Sequence, residues 1–161
     1  MTGPRTRSSL LVAALALASC AVPTAHAPAG GRPPAAPSDY HKPVRMNGRG
    51  TLGSISLGDF FALQQSGKAL IYDARPAFFY HLGHVPGAIN LTKNRCDDQI
   101  LSRQAEIKAA LAKGHTIVVY CTGITCPDAR TVAIHISGFG YPAKIFSGGW
   151  EAWKDAAMPI D

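Results

Sequence analysis

Cys121 and Cys126 stand on either side of a four-residue turn in the stretch VVYCTGITCPDAR, residues 118–130. The β-branched run before Cys121 reads as a strand that stops at the thiol. Pro127 and Asp128 read as the first turn of a helix. Such a pair has four chemically distinct uses: a disulfide staple, two metal ligands, buried fillers, or a nucleophile with a companion. A tight strand-to-helix loop can turn successive backbone N–H groups inward. With the helix dipole behind them, they favour an anion. A cysteine facing this nest has a lowered pKa, because the thiolate is the form the field stabilises. Gly123 tolerates positive φ and lets the loop bend. The anion cradled by Thr122, Gly123, Ile124, Thr125 and Cys126 is then a thiolate, a persulfide or a bound oxyanion.

The elements that must position this turn begin near Thr51. Ser56 and Asp59 form a capping-box-like pair, and Ile55 and Phe60 are placed for a hydrophobic staple. They start a helix, LGDFFALQQS, that stops at Gly67. ALIYD, residues 69–73, is a short apolar run ending in a carboxylate and reads as a buried strand. GAINL, residues 87–91, is a second short strand. Asp97 and Asp98 open a helix with Ile100, Gln104, Ile107 and Leu111 on one side, ending at Gly114. TIVVY, residues 116–120, is the clearest strand. Ala129, Val132, Ala133 and Ile136 repeat at helical spacing before Gly138 and Gly140 break the helix. AKIF is a last strand and GWEAWKDA a last short helix. This alternation predicts an α/β fold, a parallel sheet with helices on both faces. Sites in such sheets lie at the carboxyl ends of strands, where Asp73 and Cys121 both fall.

The chain has 161 residues, enough for one domain. Its formal charge is +6, but Arg5 and Arg7 supply two positives at the N-terminus and the rest are scattered. No Lys/Arg run is interleaved with aromatics, which argues against nucleic acid as a partner. The N-terminus reads MTGPRTR, then LLVAALALAS, a basic stretch followed by a ten-residue apolar run. That is short for a membrane span and right for a signal-peptide core. Leu17-Ala18-Ser19-Cys20 resembles the bacterial lipobox, in which the cysteine is lipidated. The other reading is an ordinary secretory peptide cut within ASCAVPTAHA, where Ala25-His26-Ala27 also fits a small-x-small site, giving a soluble periplasmic protein. Ala21, where an aspartate would signal retention, favours the outer membrane if the host is Gram-negative. The expected organisation is a signal peptide over 1–19, a lipid-anchored Pro/Ala-rich tether over 20–49 and a domain over 50–161. With lipid on Cys20, three thiols remain: Cys96, Cys121 and Cys126. Three cannot all pair within one chain, which suggests a reactive thiol in an exported protein.

Four segments in order resemble the single-domain rhodanese family. IYDARP matches its strand ending in Asp-x-Arg, here Asp73 and Arg75. GHVPGAINL, residues 83–91, resembles its Gly-His-Ile-Pro-Gly-Ala-x-Asn-Leu signature. VVYC with its short loop resembles the active-site strand, and FSGGWEAW the closing Gly-Gly-x-x-Ala-Trp element. The resemblance implies a sulfurtransferase with Cys121 as nucleophile. Its thiolate takes a sulfane sulfur from a donor such as thiosulfate, and a thiol or cyanide collects it. It implies no metal and no organic cofactor. Asp73 and Arg75 are expected as a supporting ion pair at the strand ends.

Two features depart from the family pattern. Many such loops carry a basic residue for an anionic donor, whereas Thr122, Ile124 and Thr125 are uncharged; Lys144 or Arg130 would have to substitute. Cys126 is either a thiol that attacks the Cys121 persulfide or a small apolar filler at a helix start. Related phosphatases need Cys-x5-Arg, and the sixth residue after Cys121 is Pro127. A thioredoxin-like centre wants Cys-x-x-Cys, and here four residues intervene. Cys96 reads as incidental or as able to pair between chains. His84 reads as structural within its signature rather than as a metal ligand with His81, and Trp150 and Trp153 read as packing. The remaining alternative is a non-catalytic sulfur carrier or thiol-redox and interaction module using the Cys121/Cys126 pair.

Overall fold

The computed structural model describes residues 50–161. The expected signal peptide, the tether and Cys20 lie outside the described residues. Five parallel strands form one sheet in the order β1-β5-β4-β2-β3. In chain order, β1 (Leu52–Ser54), β2 (Ala69–Asp73), β3 (Ile89–Asn90), β4 (Thr116–Tyr120) and β5 (Ala143–Phe146) alternate with helices. The helices are α1 (Leu57–Gln65), α2 (Ala77–His81), α3 (Cys96–Ser102), α4 (Gln104–Ala112), α5 (Asp128–Gly138) and α6 (Gly149–Asp155). β4 is central, flanked by β2 and β5.

Strand alternation divides the core into two faces, because successive side chains point to opposite sides. Leu70, Tyr72, Ile117 and Val119 join one cluster with Cys96 and Ile100 of α3, Ile107 and Ala110 of α4, and Val132, Ala133 and Ile136 of α5. Ile71, Val118, Tyr120 and Phe146 join the other with Phe60 of α1 and Trp153 of α6. Phe60, Tyr120 and Trp153 are fully buried, and burial of each such side chain stabilises the fold by roughly 1.5–3 kcal/mol. Helices on both faces of a parallel sheet follow, as the alternation of elements predicts.

At α1, the Ser56 hydroxyl accepts from the Asp59 N–H at 3.1 Å, and Ile55 and Phe60 are buried in one cluster. The Asp59 carboxylate accepts from the Ser56 hydroxyl rather than from its backbone N–H. Four elements differ from the sequence reading. The helix expected from Asp97 to Gly114 is two helices, interrupted at Arg103 (φ −103°, ψ 8°). Ile100 and Ile107 stay seven apart and fully buried across the break, so apolar spacing does not reveal it. The strand expected over 87–91 pairs only at Ile89 and Asn90, since Gly87 takes φ +77° just before it. β1 and α2, three and five residues long, are too short for any periodicity to mark.

Candidate active site

Cys121 follows the last residue of the central strand and is 2% exposed. Cys126, half-buried, closes the loop by donating its N–H to the Gly123 carbonyl at 3.0 Å. Their Sγ atoms are joined in a disulfide, with the Cα atoms 6.1 Å apart. The N–H groups of Thr122, Gly123, Ile124 and Thr125 donate to no acceptor among the described residues. Four consecutive N–H groups between a buried sulfur and α5 are thus left without a protein acceptor, as successive loop donors are where backbone holds an anion. The loop borders an open cleft of about 670 Å³ that also meets Ser54, Arg130 and Ser147.

The loop is held from behind by α6. Trp150 donates its N–H to the Cys121 carbonyl at 2.8 Å, and Glu151 to the Thr122 carbonyl at 2.9 Å. So the first turn of α6 satisfies the loop's outward carbonyls. This close approach explains Gly149, whereas Gly148 is constrained by Ala152 and Phe146. A Cβ on Gly149, at φ +63°, would lie 2.6 Å from the Cys121 carbonyl oxygen. One on Gly148 would lie 2.7 Å from Ala152 Cβ.

Beneath the loop sits a buried polar cluster. Arg75 donates from Nε to both Asp73 carboxylate oxygens at 3.0 Å, and from Nη2 to Oδ2 at 2.6 Å and to the Gly83 carbonyl at 2.8 Å. Tyr120 donates to Asp73 Oδ2 at 2.6 Å and accepts from the Val85 N–H at 3.1 Å. Burial, and then the Asp73 charge, push the Tyr120 phenol far above its ordinary pKa. The Arg75 guanidinium lies 4.5 Å from the Trp150 ring centre, a cation–π contact. Asp73 and Arg75 thus form a fully buried ion pair that reaches the loop through Tyr120, which precedes Cys121, and through Trp150 of α6; neither lines the cleft.

The charges around the loop were not evident from spacing. Asp128 places a carboxylate oxygen within 4.8 Å of both sulfurs, and Lys93 pairs with it at 3.0 Å. Any side chain on Gly123 would run into the Glu151 carboxylate, which therefore lies against the loop. Glu151 has no ion-pair partner among the described residues. Arg130 lines the cleft, whereas Lys144 sits near the start of β5 beside Thr116 and His115, away from Cys121. Two thiolates and the Asp128 carboxylate would be metal-ligand atoms in the reduced state; in the disulfide both sulfurs are committed to each other.

The other singled-out residues have structural surroundings. His84 stacks on Tyr80 at 3.9 Å and its Nδ1 is 3.1 Å from the Tyr80 carbonyl. Trp153 is buried and donates to the Pro159 carbonyl at 2.6 Å. Cys96 is a free thiol, 2% exposed, and its burial, followed by Asp97, pushes its pKa up to about 12. A thiol so placed offers no sulfur at the surface of the described residues.

Residues 56–156 match the family described as "Rhodanese-like domain". The chain is 30% identical over 111 residues to the HTH-type transcriptional regulator Rv0324 of Mycobacterium tuberculosis, covering 67% of this chain and 44% of that one. It is 27% identical over 90 residues to the thiosulfate sulfurtransferase YnjE of Escherichia coli, covering 51% and 20%. The chain thus spans less than half the length of these curated relatives. The BH2092 protein of Bacillus halodurans shares the fold at a TM-score of 0.57 and 23% identity, over 68% of this chain and 76% of that one.

Proposed function

This chain belongs to the rhodanese-like domain family, and from that premise we propose that it is a sulfurtransferase whose Cys121 carries sulfane sulfur. The supporting observation is a buried sulfur just past the central strand, followed by four N–H groups with no acceptor among the described residues. With the disulfide reduced, the Cys121 thiolate attacks the outer sulfur of a donor such as thiosulfate. The donor's S–S bond breaks, sulfite leaves with the electron pair, and a Cys121 persulfide remains. The N–H groups of Thr122 to Thr125 stabilise its terminal anion, and the step is covalent catalysis in two stages. A thiol or cyanide then removes the sulfur. Asp73 and Arg75 are positioning residues that hold α6, and through it the loop.

The test is an intact mass of the reduced full chain carrying Cys126→Ser, which leaves Cys121 as the one thiol of the loop, before and after thiosulfate. A gain of one sulfur, mapped to Cys121, lost to cyanide and missing in Cys121→Ser, is the expected result. Equal sulfur uptake by Cys121→Ser would end the assignment. The disulfide favours a second reading, a thiol-redox or interaction module that does not turn over sulfur. Under it, neither variant gains sulfur, and thiosulfate leaves the reduced wild-type pair unchanged.

We further propose export with a lipid on Cys20, supported by the LASC sequence after the apolar run. Lipid-labelled, membrane-bound chain that becomes soluble in Cys20→Ala is the expected outcome. An unlabelled wild-type chain would favour the soluble periplasmic alternative.

A further inference from the structure

We propose that Cys126 is a resolving thiol, so that the chain reduces the sulfur it takes up to sulfide and is left as a disulfide. This rests on the sulfur-transfer reading and adds to it the immediate acceptor, the product and the class of reductant.

The geometry carries the reaction. The two Sγ atoms are bonded while Cys121 directly follows β4 and Cys126 precedes α5, with the Cys126 N–H still donating to Gly123. The folded loop therefore brings Cys126 Sγ to bonding distance of Cys121 Sγ. The Cα separation of 6.1 Å lies within the ordinary range for a disulfide. A persulfide on Cys121 presents that same Sγ as its inner sulfur, with hydrosulfide as leaving group.

The step balances within the chain. The Cys126 sulfur attacks Cys121 Sγ, and a new S–S bond forms as the bond to the terminal sulfur breaks. The terminal sulfur leaves with that electron pair and takes the Cys126 proton, departing as HS⁻. The sulfane sulfur gains two electrons, and the two cysteines together lose two. Asp128 places a carboxylate within 4.8 Å of both sulfurs, beside the proton that must move. Lys93, 3.0 Å from Asp128, offsets part of its charge. The unused N–H groups of the loop favour the anion as it leaves.

Burial sets the direction of the return step. Cys121 is 2% exposed, whereas Cys126 is half-buried on the cleft. A thiolate from solution therefore attacks Cys126 and releases Cys121, restoring the nucleophile to its nest. A second thiol then frees Cys126 from the mixed disulfide by attacking the reductant's sulfur, and a dithiol, protein or small molecule, supplies both thiols as it closes its own disulfide. A disulfide between these two cysteines is then the product of one turnover.

The experiment uses the reduced full chain, freed of reductant under anaerobic conditions and given excess thiosulfate. Sulfide, sulfite and intact mass are followed together. Wild type should release one sulfide per chain, end two hydrogens lighter and stop. Added dithiothreitol should convert this single event to continuous sulfide release. Cys126→Ser and Cys126→Ala should gain one sulfur, keep it, and yield sulfide only to an added thiol. Wild type that holds its sulfur as long as these variants, with Cys126 still open to alkylation, would overturn the resolving role and leave sulfur transfer standing. Sulfur uptake by neither wild type nor variants would overturn both.

Discussion

Tyr120→Phe removes one oxygen from the base of the site and changes almost nothing else. The ring stays in its cluster with Phe60, so no cavity opens. Two interactions go. The first is the hydrogen bond from the phenol to the Asp73 carboxylate at 2.6 Å, and bonds to charged groups contribute about 1.5–3 kcal/mol. The second is the acceptor for the Val85 N–H, in a residue with no exposure, and a buried orphaned donor costs about 1–3 kcal/mol. Relief from desolvating a phenol offsets part of the sum. Asp73 keeps its Arg75 contacts, so the loss does not leave a bare charge. The expected net destabilisation is about 2–4 kcal/mol. In urea, where small proteins lose about 1–3 kcal/mol per molar, the midpoint should fall by about 1–2 M. Wild type and variant must be compared in the same disulfide state, because mixed redox states spoil two-state behaviour. A double-mutant cycle with Asp73→Asn should show strong coupling, since the two groups share one bond. Sulfur uptake by the folded variant should persist, because the Tyr120 backbone still accepts from Ala74 at 2.8 Å. A destabilisation under about 0.5 kcal/mol would show that water or another group replaces the phenol, and the account of a dry cluster would be wrong.

Gly149→Ala should destabilise the domain by about 2–4 kcal/mol and slow sulfur uptake. It strains a left-handed position and drives Cβ into the Cys121 carbonyl, and a urea midpoint equal to wild type would refute that close contact. Glu151→Gln should raise kcat/KM for thiosulfate by roughly two- to tenfold at low salt, by removing a carboxylate that faces a dianion. The gain should shrink as salt is added, and a fall in rate would mean that Glu151 assists the donor. Alkaline pH should weaken the fold. The Cys96 thiol moves from an ordinary 9.0 to about 12 on burial, and the Tyr120 phenol is also raised. These raised pKa values leave their stabilisation complete below about pH 8.5. It is lost as pH rises further, where the unfolded chain ionises and the folded one does not. The urea midpoint should hold to about pH 8 and fall through about pH 9–11, with a smaller fall in Cys96→Ala; a flat profile would refute the buried thiol.

Much of this site was legible because its determinants are local. The run TIVVY is β-branched and apolar, which marks β4, and a strand-to-helix loop must follow wherever a parallel strand ends in this architecture. That alone placed Cys121 at the sheet's carboxyl end beside Asp73. The signature segments likewise act locally: Asp73 and Arg75 are two residues apart, and their pairing needs only the turn between them. What local pattern could not supply was any contact made across the sheet. Tyr120 reads as one more apolar strand residue until Asp73 and Val85 are brought to its oxygen from 47 and 35 residues away. Lys93 and Asp128 are separated by 35 residues, and Glu151 meets Gly123 only because α6 docks its first turn against the loop. The Gly148-Gly149 pair was visible as a motif, but its reason is a matter of packing: Gly149 meets the Cys121 carbonyl, and Gly148 meets Ala152 and Phe146. The Cys121–Cys126 bond lies between the two cases. Sequence set the spacing and left staple, filler and companion open. The loop's folded path decided that the sulfurs meet, because distance between side chains depends on backbone direction as well as on residue count.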